Sequence, residues 1–209
     1  MRPISFTRAQ PAADADSIVS AQSLSVSGAI TLDGVLVSNG VATLTVPAVL
    51  TAYSQASSSI NFVVTGTGPA GQSQVETLAV TASGTITGSL SFATVTGIVA
   101  SAAAASTISI GNGVPGYTGW LPLDIYTPNQ VTNISAKTSG TVNYSVEYTN
   151  EDPFDLSIQQ LAVAHPNASL TASTKDETQF TTTLMRAVRL KINSGDGSVR
   201  FTVVQQSTK

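Results

Sequence analysis

His165 is the single histidine of the chain. It is the first candidate for chemistry, because an imidazole titrates near neutral pH and can serve as a general base beside a nucleophile. Pro166 follows it in the most loop-like part of the second half, where a lone histidine reads as a solvated surface residue. No Gly-x-Ser-x-Gly elbow accompanies it, so no triad is expected. Glu147, Glu151, Asp152 and Asp155 could supply the paired carboxylates of glycoside hydrolysis. Glu147, however, falls on the polar side of a strand pattern, and Asp152 and Asp155 suit capping or turn roles. Asp14-x-Asp16 and Asp196 offer oxygen ligands of the kind calcium takes, without the ligand density of an EF-hand. GTGPAGQ (66–72) has the glycines of a phosphate loop but no lysine and no following helix pattern, and it reads as a hairpin loop turning at Pro69 and Gly71. Asn-x-Ser occurs at Asn133, Asn143 and Asn167, as chance allows in a chain with 55 Ser and Thr residues. Tyr117, Trp120 and Tyr126 form an aromatic cluster that could stack on a sugar; packing at a domain boundary is the plainer reading.

The charge pattern narrows the field further. From Ala9 to Ala136 there is no Lys or Arg, and from Ser17 to Ala136 the carboxylates are Asp33, Glu76 and Asp124. A basic groove, a phosphate clamp or a lysine nucleophile cannot be built there. Over the whole chain, charged residues make up 10% and the net charge is -3, which gives no electrostatic case for nucleic acid or an anionic membrane. Cysteine is absent, which excludes disulfides and thiolate ligands. No apolar run reaches the roughly 18 residues of a membrane span. The N-terminus lacks a signal-peptide core, so a soluble chain made in the cytoplasm is expected, with no enzyme activity, cofactor or metal.

The elements that would position these groups are β-strands. Residues 1–16 read as an extended arm: Pro3 and Pro11 oppose regular pairing, and Ile4 and Phe6 are apolar groups that need a place to dock. Residues 17–113 form short alternating runs broken by glycine, the signature of a first antiparallel β-sandwich. Asn39-Gly40 marks a hairpin. GNGVPGYTG (111–119) marks a boundary, and 114–209 reads as a second sandwich. There Val142, Tyr144, Val146 and Tyr148 share one face of a strand, and Val188, Leu190 and Ile192 share one face of another. The run 185–193, the turn Ser194–Gly197 and the run 199–205 predict a hairpin. Asp152-Pro153 predicts a helix start, with Phe154, Ile158, Leu161 and Ala162 on one face. The fold class expected is therefore all-β, two tandem antiparallel sandwiches with an N-terminal arm.

INFVVTGTGPAGQSQVETLAV, GTITGSLSFATVTGIVASAAAASTISIG, WLPLDIY, GTVNYSVEYTNEDPF and AVRLKINSGDGSVRFTVVQ together resemble the two-domain structural proteins of tailed-bacteriophage virions, over about residues 18–206. The resemblance implies a non-enzymatic virion component made in the host cytoplasm. Its expected place is a ring or collar at the head–tail neck; the alternatives are a capsid decoration protein or a tail-fibre carbohydrate-binding module. The implied partners are further copies of the chain and portal, connector or capsid proteins. The candidate assembly contacts are Ile4, Phe6, Trp120, Phe154 and Leu161, the last two as anchors of the long 153–178 connection.

Overall fold

A computed structural model describes residues 4–9, 13–126, 131–155, 158 and 160–205. The chain is all-β, and its large sheets are antiparallel. In chain order the strands are β1 (Ile4–Ala9), β2 (Asp14–Leu24), β3 (Gly28–Ala29), β4 (Val37–Ser38), β5 (Val41–Ser54), β6 (Ile60–Thr67), β7 (Ser73–Val80) and β8 (Gly84–Ala100). There follow β9 (Ala104–Tyr117), β10 (Leu121–Pro122), β11 (Thr132–Ser139), β12 (Val142–Thr149), β13 (Val163–Ala164), β14 (Glu177–Thr181), β15 (Ala187–Gly195) and β16 (Ser198–Gln205). One 3-10 turn, Ala168–Leu170, is capped by the Asn167 side chain, which accepts from the Ser169 N–H. No helix among the described residues is long and apolar enough to cross a membrane. Two compact units result: one is Ala13–Gly116, and the other joins the N-terminal strand to Tyr117 onward.

The unit Ala13–Gly116 holds the charge-poor sequence. Its strands run in the order β2-β9-β5-β8-β6-β7, with β3 on β8 and β4 on β5. β5 shows why this composition makes strands: every even residue from Ala42 to Ser54 is buried, the two-residue period of a pleated strand. Pro47 falls where the β5–β8 register shifts between Thr43 and Ala48, so its missing N–H breaks no regular ladder. The sheet bends over itself, and inward residues of β6 and β7 (Ile60, Phe62, Val64, Leu78) share one core with those of β5 and β9 (Leu44, Leu50, Ile108, Ile110). Asn39 and Gly40, at φ +53° and +76°, make the expected turn between β4 and β5. Gly68–Gln72 closes the expected β6–β7 hairpin, with Gly71 at φ +86°. At Gly111 a Cβ would lie 1.7 Å from the Asp14 carbonyl oxygen, so β2 can approach β9 there only because the side chain is hydrogen.

The second unit packs the sheet β1-β16-β11-β14 against β13, β12, β15 and β10, with Tyr144, Phe201, Ile134 and Leu190 at zero exposure in the shared core. The inward faces of β12 and β15 are the expected ones. The hairpin expected between 185–193 and 199–205 does not form. β15 pairs with β12, while β16 lies between β1 and β11 in the other sheet. The pairing keeps step across the corner, with Ser139 opposite Ser198 and Val142 opposite Gly195. β11–β12 and β15–β16 are thus one two-stranded ribbon folded over at Gly140 and Gly195–Gly197. The fold closes because the crossing backbones are glycine: a Cβ on Gly197 would sit 2.5 Å from the Ser139 carbonyl, and one on Gly195 2.3 Å from that of Thr141.

The N-terminal segment also differs from expectation. Ile4–Ala9 pairs regularly along β16, Ile4 opposite Val203 and Phe6 opposite Phe201. Pro3 and Pro11 lie outside this six-residue strand and do not interrupt it. Asp14, which the sequence placed in the arm, already belongs to β2.

Candidate functional site

The segment after β12 is built inside out. Asp152 accepts the Phe154 N–H through its side chain and the Asp155 N–H through its carbonyl, which makes a turn in place of the expected first helical turn. Buried Gln160 then donates Nε2 to the carbonyls of Asp152 (3.1 Å) and Asp155 (2.6 Å), consuming acceptors a helix would have used for its own N–H groups. The Leu161 N–H goes to Glu151, and Arg186 clamps Asp152 at 2.8 Å. With these polar groups engaged by one another and Gln160 buried, the apolar side chains are left facing out: Phe154 is 74% exposed and Leu161 66%, with Ile158 and Val163 also exposed. Phe154, Ile158 and Leu161 of the expected amphipathic face point away from their own core, while Ala162 is half-buried. Residues 156, 157 and 159 of the expected helix lie outside the described residues.

Trp120 has a different role. The Arg189 guanidinium lies between two rings, its Cζ 4.4 Å from the centroid of Tyr117 and 4.5 Å from that of Trp120. Arg189 also donates Nε to Glu147 at 2.8 Å, and Lys191 reaches the same carboxylate at 3.5 Å. Glu147 and Arg189 are cross-strand partners on β12 and β15, so the stack covers the outer face of that sheet. One face of each ring is thereby occupied, while Tyr126 stands apart, 91% exposed. Of the remaining candidates, Ile4 is half-buried on β1, and Phe6 holds the next register position but one on that strand. Among the candidate carboxylates, Glu147 and Asp152 are ion-paired and Glu151 accepts the Leu161 N–H, while Asp155 serves the same loop through its backbone carbonyl. The Asp14 carboxylate beside Asp16 raises the Asp16 pKa. Among the described residues no three His, Asp or Glu side chains converge as a metal site.

His165 corrects the sequence reading. It is 3% exposed, anchored by its N–H to the Val146 carbonyl, and its Nδ1 accepts the Asn167 N–H at 3.1 Å. The proton therefore sits on Nε2, which is buried with no partner among the described residues. Burial lowers its pKa from 6.5. A histidine of lowered pKa makes the folded state the weaker proton binder, so its stabilising effect is full above pH 6.5 and lost as pH falls below that value. The transition temperature is expected to decline from pH 7.5 to 5.5, and His165→Gln to flatten that decline. As the chain has one histidine, thermal melts of the two proteins isolate the effect.

Sequence reasoning missed Glu76. On β7 its Oε1 accepts the N–H groups of Ser89 and Leu90, and Gln74 donates to the Ser91 carbonyl at 2.7 Å. Two side chains of β7 thus satisfy the open edge of the first half of β8. A lone carboxylate in so uncharged a stretch was the available signal. Compared with protein-family models, curated proteins and solved structures, the chain matches none.

Proposed function

We propose that the chain is a non-enzymatic structural component of a tailed-phage virion, assembled with further copies of itself as a ring or collar at the head–tail neck. The observation that carries this is the loop after β12, where hydrogen bonds tie Asp152, Asp155 and buried Gln160 together and leave Phe154 and Leu161 exposed for a neighbour. An exposed apolar set held in place at this cost in polar contacts is what a buried interface requires. The scarcity of charge agrees, since contacts between such surfaces depend on shape and apolar area and little on ion pairs. The resemblance of residues 18–206 to virion structural proteins supplies the setting. Capsid decoration is the alternative, and the two differ in stoichiometry: one ring of copies per particle, or copies across the whole head lattice.

Light scattering of the purified chain, followed by co-sedimentation with portal, connector and capsid components, tests the reading. A mass several times the 21.3 kDa of one chain, or stable association with a particle component, is expected. A chain that stays at 21.3 kDa at high concentration and binds no component overturns it.

A further inference from the structure

Among the described residues, the outer edges of β1, β2, β13 and β14 each carry a feature that discourages pairing, and that of β7 does not. β1 bears Arg8, and β2 shifts register three times against β9. β13 has two residues, and β14 has five with Glu177 at its start. β7 has eight residues in unbroken register with β6, from Thr67 opposite Ser73 to Ile60 opposite Val80. It contains no proline and no lysine, and its one charge, Glu76, is turned inward onto β8. No strand among the described residues pairs with its outer edge. Its outward side chains, Ser73, Val75, Thr77 and Ala79, are all exposed and uncharged. The same face continues through Val63 and Val99, which are neighbours in register across β6 and β8.

A free edge is a row of backbone donors and acceptors that an extended strand satisfies, and natural proteins block such rows with charge, proline or bulges when they are not used. We infer that β7 is a homotypic assembly edge, on which β7 of a second copy of this chain pairs antiparallel about a two-fold axis. The partner is a second copy because an edge and face without charge present nothing to repel their own image, and two-fold pairing sets residue i of one copy against residue j of the other and j against i, with identical residues meeting only at the axis. This contact is separate from the 153–163 surface and concerns the chain alone, so it goes beyond the virion reading.

The chain has no cysteine, so single-cysteine variants report the pairing directly. Val75→Cys, Thr77→Cys and Ala79→Cys in the full chain are oxidised, and covalent dimer is measured. The expected result is crosslinking concentrated at the position nearest the axis, since a disulfide needs Cα atoms about 4.4–6.8 Å apart. Amide exchange over 73–80 is expected to slow as protein concentration rises. Thr77→Lys, which puts one ammonium group from each copy on the shared edge, is expected to weaken dimerisation at least about tenfold and abolish that protection. No crosslink at any of the three positions, or exchange independent of concentration, overturns the inference. Equal crosslinking at all three positions overturns it as well, since it signals parallel stacking. Failure here leaves the ring reading standing if the chain still assembles; conversely, β7 pairing in a chain that joins no particle component leaves this contact standing alone.

Discussion

Gly195→Ala is expected to cost the second unit at least about 3 kcal/mol of stability. Gly195 sits at φ +97°, where a Cβ is unfavourable, and that Cβ would meet the Thr141 carbonyl oxygen at 2.3 Å. The neighbour is backbone on the crossing strand, so relief requires the ribbon corner itself to open. Opening it would separate the two sheets at the point where the chain passes from one to the other. For a unit of this size, a loss of that magnitude lowers the transition by about 15 °C. Trp120, the single tryptophan, lies in the same unit, so its fluorescence follows this transition. Asp196, between the two glycines and exposed, serves as the control: Asp196→Ala should stay within about 0.5 kcal/mol of the parent. An unchanged transition for Gly195→Ala would show that the corner does not hold the sheets together.

Phe154→Ser with Leu161→Ser is expected to weaken assembly through the 153–163 surface strongly while leaving the fold intact. Both side chains are mostly in solvent in the single chain, so their removal takes almost nothing from its core. In an interface, each anchor of this kind contributes about 2 kcal/mol or more, and their effects overlap. The double variant should therefore weaken association by at least about a hundredfold, with an unaltered melt. A double variant that assembles like the parent, by sedimentation across a concentration series, would remove 153–163 from the interface.

Much of the fold was legible because period-two alternation is a strong signal where strands are half-buried. β12 and β15 turn inward the residues their patterns named, β5 and β6 show the alternation expected of 17–113, and Asn39-Gly40 turned where its positive φ values required. The misses share a cause: local pattern does not record what a strand finds across the sheet. Residues 185–205 look like a hairpin because neighbouring strands usually pair, yet β16 has β1 and β11 on its two edges. The glycines that signalled a turn make the corner instead. Phe154, Ile158 and Leu161 have helical spacing, but Gln160 takes the carbonyls a helix needs. His165 followed by proline reads as surface, and nothing in its own neighbourhood of sequence announces that Val146 will fix it against β12. As for the site, the residues Phe154 and Leu161 were legible, while the polar lattice that turns them outward was not.

The chain is expected to be buried against its neighbours, chiefly through the outward apolar side chains beyond β12. An electron-microscopic reconstruction of an assembled particle with the chain located in it tests this directly. A closed ring of copies at the neck is expected, with Phe154 and Leu161 covered by an adjoining subunit in every copy. Copies whose Phe154 and Leu161 face open solvent all around the ring would contradict it.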